Sequence, residues 1–169
     1  MKQSIDLISA SGVGAEPWLA DHADLAARCG AIVPLNWPAD GLLQVVSPFA
    51  GRDDRVRDYW YALACDMSLP RLAPFVVGGG AIALSRQGAT DAELAFRLLP
   101  QFQGHDYGRL IAEGLVERAF AHGEVERIRT AVSWEDGARV HVLSKIGFVA
   151  SSDAAASACT AMFVLERNR

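Results

Sequence analysis

The stretch from Gly108 to Ala121 is the most regular part of the chain, and its flanks constrain the fold. Leu110, Ile111, Leu115, Ala119 and Phe120 recur at helical spacing, while Arg109, Glu113 and Glu117 fall four apart on the opposite, wet face. Such a helix must cover its apolar stripe with another element. Before it, Glu93 to Leu99 reads as a strand ended by Pro100. After Gly123, Val125 to Ser133 alternates, with Arg127 and Arg129 on one side and Ile128, Thr130 and Val132 on the other. Strand, helix and strand in succession call for a sheet with the helix on its face.

The remaining segments extend that sheet. Phe75-Val76-Val77, three glycines at 78–80 and Ala81 to Leu84 read as a strand with a weak or bulged centre. Arg86 to Thr90 has turn composition, so this strand and Glu93 to Leu99 form an antiparallel hairpin. Asp136 to Ile146 is a second helix, with Ala138, Val142, Leu143 and Ile146 inward and Gly147 beyond its end. Phe148 to Ala150 and Cys159 to Leu165 are two short strands, paired across the alanine-rich stretch between them. Towards the N-terminus, Asp21 to Cys29 is a helix stopped by Gly30. Asn36-Trp37-Pro38 marks a turn, and Leu42, Leu43 and Val46 make one face of a short helix before Pro48. Asp53 to Met67 carries two periods. Val56, Tyr59, Trp60, Leu63 and Met67 fit a helix, whereas Tyr59, Tyr61 and Leu63 fit a strand, and pattern alone leaves both open. The fold class is mixed α/β (α+β), around one sheet.

Size and charge narrow the function. At 169 residues and 51% hydrophobic, the chain has the length of one domain and enough apolar mass for a core. A net charge of -4 argues against non-specific nucleic-acid binding. Cys29, Cys65 and Cys159 are odd in number and widely spaced, which fits reduced, buried thiols rather than a disulfide scaffold. Cys159, on an apolar strand, reads as core rather than nucleophile. His22, His105, His122 and His141 do not stand at metal-ligand spacing, so no metal site is expected, and His122 suits a helix C-terminus. Met1 to Ser11 lacks the pattern of a signal peptide, and no run approaches the ~20 apolar residues of a membrane span. The expectation is a soluble, cytoplasmic protein without membrane or nucleic-acid partners.

Chemistry concentrates in Leu98 to Arg109, where a strand runs through a polar loop into a helix. The start of a helix offers unpaired backbone N–H groups and the positive end of its dipole, and phosphate is the usual tenant. Gly104 and Gly108 let the backbone come close to a ligand. Neither the Walker A pattern nor G-x-G-x-x-G is present, which removes support for ordinary nucleoside triphosphate and NAD sites. These residues alone leave two readings open: an anion site, or a tight turn that binds nothing. Trp37, Trp60 and Trp134 fit core or rim packing as well as an acceptor pocket. Arg127 and Arg129, beside Glu124 and Glu126, read as a solvated strand face.

Here the chain resembles a family. Glu93-Leu94-Ala95-Phe96-Arg97-Leu98-Leu99-Pro100, the Gln103 to Gly108 loop, the helix ending at Ala119-Phe120, and Lys145-Ile146-Gly147-Phe148 are similar to the GNAT acetyltransferases. The branch containing the ribosomal-protein N-terminal acetyltransferases is the nearest in flavour. Asn36-Trp37-Pro38 and Trp60-Tyr61-Ala62-Leu63 resemble the N-terminal part of that branch more loosely, which would make Tyr59 to Cys65 a strand. The resemblance implies a single GNAT-like domain over 1–169. Residues 1–70 would form the acceptor side, 75–150 the acetyl-CoA-binding core and 151–169 a C-terminal strand.

It further implies that the strand carrying Phe96, Arg97 and Leu98 splays from its neighbour and pairs with the pantetheine arm of acetyl-CoA. The loop Gln103, Gly104, His105, Asp106, Tyr107 and Gly108 would then wrap the pyrophosphate, agreeing with the anion-site reading. Several positions depart from the family. Asp106 stands where the loop has its first glycine, and a carboxylate beside a pyrophosphate costs about a kcal/mol at ~4 Å in water, which a protonated His105 would offset. Asp136 replaces a common Asn and Arg139 a common Ser, both on the cofactor side. Leu143 falls where relatives keep a tyrosine acid, and Ala131 where some keep a glutamate base. Glu93 remains as the base implied for an amine acceptor, acting through water, with a backbone N–H near Leu98 for the thioester oxygen. Its plain alternative is a solvated residue at the hairpin's start. Two functions follow: direct acetyl transfer from acetyl-CoA to a primary amine of a small molecule or protein, or a GNAT-like protein that binds CoA without turnover. The strand Cys159 to Leu165, at a sheet edge, would allow a homodimer.

Overall fold

The computed structural model describes residues 4–10, 21–38, 55–65, 73–85, 90–151 and 159–167. In chain order these form β1 (Ser4–Ser9), α1 (His22–Cys29), β2 (Arg55–Cys65), β3 (Phe75–Ser85) and β4 (Asp91–Leu98). A 3-10 turn (Pro100–Phe102), α2 (Tyr107–Ala121), β5 (Arg127–Ser133), α3 (Gly137–Lys145), β6 (Val149–Ser151) and β7 (Thr160–Glu166) follow. The strands make one seven-stranded mixed sheet in the order β1-β2-β3-β4-β5-β7-β6. Among the described strands only β4 and β5 pair in parallel, as the crossover through α2 requires.

The ambiguous segment before Met67 is strand β2, and tertiary pairing decides it. Trp60 to Cys65 pair with β1 on one side, and all of Arg55 to Ala64 pairs with β3 on the other. The triple glycine sits where the hairpin centre was expected to be weak. Ala62 opposes Gly78 and Leu63 opposes Val76, so Val77 is the extra residue of a bulge. The glycines there are required by close approach. A Cβ on Gly78 would stand 2.2 Å from the Arg97 carbonyl oxygen, and one on Gly80 would stand 2.3 Å from Leu115 Cδ1. The gap in side-chain volume on β3 lets α2 settle directly on the sheet.

The two faces carry separate cores. Ile111, Ala112, Leu115 and Ala119 of α2 and Leu143 of α3 pack on Ala92, Leu94, Phe96, Ile128 and Val132. On the other face Leu25 and Cys29 of α1 pack with Trp37, Tyr61, Leu63, Ala81 and Ala83. Helix α1 ends as expected at Gly30, whose φ of 57° is left-handed and cheap only for glycine.

Four expectations change. Ala138 is exposed rather than inward, because α3 begins at Gly137 and its first turn faces the solvent side of a cavity. Of the three thiols only Cys29 is buried; Cys65 is half-buried, and Cys159 is exposed just before β7 instead of in the core. The strand β7 is not the sheet edge, since β5 pairs with one side and β6 with Met162 to Val164 on the other. Arg127 and Arg129 are not a merely solvated face, because both reach Asp91 on β4, at 2.9 and 2.6 Å, and Arg127 also stands 4.0 Å from Glu166. The short helix expected around Leu42 to Val46, and Arg86 to Ala89 of the expected turn, lie outside the described residues. No helix among the described residues is long and apolar enough to cross a membrane, and no cluster of metal-ligating side chains occurs among them.

Candidate functional site

Strands β4 and β5 part company halfway. Their ladder runs Asp91↔Arg127, Ala92↔Ile128, Glu93↔Arg129 and stops. The separation is not fraying, because β4 stays paired to β3 as far as Leu98 and β5 to β7 as far as Ser133. Past Glu93, the side of β4 turned toward β5 therefore has no strand partner, and a cavity of about 540 Å³ opens there. Backbone groups on a parted edge need a partner, whether water or a bound chain.

Ten of the eleven residues expected to bind cofactor line this cavity: Phe96, Arg97 and Leu98 of β4, Gln103, Gly104, His105, Asp106 and Gly108 of the loop, and Asp136 and Arg139 of α3. Tyr107 does not. Its ring packs edge-on against Phe102 and stacks with His105, so it anchors the loop on the 3-10 turn. Glu93 also lies outside the lining. It is half-buried on the face of β4 that carries Ala95, which packs toward α1, and its register partners are Ala83 and Arg129. Ala131 is exposed on β5, while Leu143 is fully buried in the core, so neither family position supplies a proton-transfer group.

The loop is built to present backbone. Gly104 has φ 79°, the left-handed region, and nothing stands within 4 Å of where its Cβ would be. Gln103 N–H donates to the Pro100 carbonyl, and the first bond of α2 runs from Leu110 N–H to the Asp106 carbonyl at 3.2 Å. The amides of the first turn therefore lack helical acceptors, and Gly104, His105, Asp106 and Gly108 there line the cavity. Asp106, the apparent misfit, has φ -67°, so the backbone there does not need glycine. Its carboxylate does not cap the helix but turns to Arg109, whose Nε donates to Oδ1 and Oδ2 at 3.0 and 2.9 Å. Arg109 also donates to both oxygens of Glu113, at 2.6 and 2.7 Å. The Arg109 hydrogen bonds, with the charges of Arg109 and Lys145, hold the Asp106 carboxyl below its usual range. The Asp106–Arg109 pair was legible in principle, since oppositely charged residues three apart at a helix start meet.

Across the mouth, Asp136 is the N-cap of α3, and its Oδ1 accepts the Arg139 backbone N–H at 3.1 Å. The other oxygen receives Arg97 Nη1 at 3.3 Å. Arg139 Nη2 also stands 3.1 Å from that oxygen, close enough for an ion pair but out of line for a hydrogen bond, and it is a buried atom with no hydrogen-bond partner. Burial, then the neighbouring charge of Arg97, lower the Arg139 pKa, and Asp136 only partly offsets them. The guanidinium carbon lies 5.9 Å from the Phe96 ring centre. Ser133 and Glu135 join the lining from the end of β5; nothing in their sequence context marks them.

A family model described as an acetyltransferase (GNAT) domain matches residues 17–149. Comparison with curated protein sequences finds no match. Among solved structures, an N-acetyltransferase, PseH, from Campylobacter jejuni in complex with acetyl coenzyme A is similar with a TM-score of 0.56 at 10% identity, over 97% of this chain and 99% of that one. Spermidine N-acetyltransferase from Vibrio cholerae, in complex with CoA and spermine, gives 0.59 at 12% identity, over 96% and 95%. A domain from Methanocaldococcus jannaschii gives 0.61 at 13% identity, over 98% and 100%. At such identities the likeness is one of fold.

Proposed function

The chain belongs to the GNAT acetyltransferase family, and on that premise we propose that it moves an acetyl group from acetyl-CoA to a primary amine by direct transfer. The observation that carries this reading is the parting of β4 from β5 after Glu93, in the same cavity as the Gln103–Gly108 loop. A parted strand edge suits the amide-bearing pantetheine arm, and a helix N-terminus with free amides suits a diphosphate. Phe96, Arg97 and Leu98 would hold the arm, and Gln103, Gly104, His105, Asp106 and Gly108 the diphosphate, with Tyr107 as the loop's anchor. Two similar folds were solved with acetyl-CoA or CoA, one of them also with the amine spermine, which supports this donor and class of acceptor. Within the family we place the chain nearest the ribosomal-protein branch, on Asn36-Trp37-Pro38 and Trp60-Tyr61-Ala62-Leu63. The whole of 1–169 is taken as one GNAT domain.

Acetyl-CoA supplies an acetyl group activated as a thioester. The chain's part is to bind it extended along β4, to stabilise negative charge on the thioester oxygen with a strand N–H near Leu98, and to take the proton that the amine loses. Glu93 is the group assigned to that proton, through water, on the sheet face turned to α1. Isothermal titration of acetyl-CoA should give a dissociation constant in the micromolar range, about -8 kcal/mol. Absence of binding at millimolar acetyl-CoA would end the reading. Glu93→Gln should then lower kcat at least tenfold with CoA affinity unchanged; unaltered turnover would remove Glu93 as the base.

One observation favours a second reading, a protein that binds CoA without turnover. Leu143 is fully buried at the family's acid position, so the departing thiolate has no proton donor there. Micromolar binding without acetylation across a panel of polyamines, amino acids and peptide N-termini would select it.

A further inference from the structure

The charged side chains lining the cavity are three arginines and three carboxylates: Arg97, Arg109, Arg139, Asp106, Glu135 and Asp136. Formally they cancel, but they are not evenly placed. At the loop, one guanidinium, that of Arg109, faces two carboxylates, Asp106 and Glu113. Glu135 is exposed to solvent, where its charge is screened. At α3, two guanidiniums converge on one carboxylate, and one buried nitrogen of Arg139 has no hydrogen bond. Two guanidiniums therefore share one carboxylate at α3, beside the loop whose Gln103, Gly104 and His105 border the same cavity.

Resting on the acyl-CoA reading above, we infer that Arg139 and Arg97 form a side-chain anion clamp for the donor's diphosphate, with Asp136 holding their place until the diphosphate arrives. A half-buried guanidinium with an unused donor, next to another cation, is costly alone and gains by meeting a dianion. Asp136 has two jobs that separate by atom. Oδ1 caps α3, and Oδ2 supplies the charge that the ligand competes with. An Asn at this position keeps the cap and removes the competing charge.

The test is calorimetric titration of CoA, dephospho-CoA and pantetheine into the wild-type protein, Arg139→Ser, Arg139→Lys and Asp136→Asn, at low and high salt. Arg139→Ser should weaken CoA and dephospho-CoA about tenfold or more, leave pantetheine unchanged, and flatten the salt dependence of binding. Arg139→Lys, which keeps the charge without the fork, should fall between. Asp136→Asn should tighten CoA several-fold, and it carries the test if Arg139→Ser does not fold. A loss confined to CoA, sparing dephospho-CoA, would move the contact to the 3′-phosphate and overturn the diphosphate assignment. A loss extending to pantetheine would overturn it as well. Wild-type binding with unchanged affinity in Arg139→Ser, or unchanged or weakened binding in Asp136→Asn, removes the clamp while leaving the acyl-CoA site intact. No CoA binding by the wild type removes both.

Discussion

Helices α2 and α3 both open onto the cavity, and both begin after an aspartate, yet the two carboxylates do different work. Asp106 makes no cap and is bound to Arg109 one turn along, half-exposed, where the same guanidinium also meets Glu113. Asp136 caps α3 with one oxygen and gathers Arg97 and Arg139 with the other, which sets two guanidiniums on one carboxylate. The same residue in the same local position is an exposed ion pair in one case and the hinge of a partly buried cluster in the other. What separates them is what lies opposite: solvent for Asp106, strand β4 for Asp136.

The contrast depends first on the platform beneath both helices. Gly78→Ala places a methyl group 2.2 Å from the Arg97 carbonyl, so β3 and β4 must shift. A loss of about 3 kcal/mol or more in urea denaturation is expected, and a variant as stable as wild type would break the account of the triple glycine. Next in size is Asp136→Ala, which removes the cap and leaves Arg97 and Arg139 adjacent without their carboxylate. It should cost about 1–2 kcal/mol, with the thermal midpoint several degrees lower.

Asp106→Ala sharpens the comparison from the other side. Because that carboxylate only holds an exposed pair, stability should change by less than about 0.5 kcal/mol. Affinity for CoA should rise roughly threefold, since a negative charge leaves the diphosphate loop. Equal stability losses in the two alanine variants would erase the distinction drawn here. The smallest effect is on acid sensitivity. The Asp106 pKa is lowered on folding by the Arg109 hydrogen bonds. Its stabilisation is therefore complete above the unfolded value near 3.9 and lost as pH falls through the lower folded one. Between about pH 4 and 2 the wild type should lose slightly more stability than Asp106→Ala, by no more than about 0.5 kcal/mol given the exposure.

Much of the fold could be read from the chain because its signals are local. The apolar stripe of α2, the alternation of Arg127 to Ser133 and the stop at Gly30 each follow from one element's own period or cap. The Asp53 to Met67 segment was undecided for the same reason: two periods coexist in it, and only pairing with β1 and β3 selects the strand. Cys159 and Ala138 misled because an apolar neighbourhood in sequence is not burial in space. The cavity residues could be named through the resemblance to GNAT enzymes, but the charge partners distant in sequence could not. Asp91 reaches Arg127 and Arg129 through a parallel register, and Arg97 reaches Asp136 across a gap between strands.

The sequence by itself determined the order of elements from β3 onward, the loop that starts α2 and the glycines that let the sheet and helix close on each other, since periodicity, capping and side-chain volume are properties of neighbouring residues. The tertiary structure alone decided how far β4 and β5 stay paired, which distant carboxylate answers which arginine, and that two guanidiniums meet one carboxylate at α3. Those are distances between residues ~30–40 positions apart, and electrostatic energy depends on distance and burial rather than on spacing along the chain.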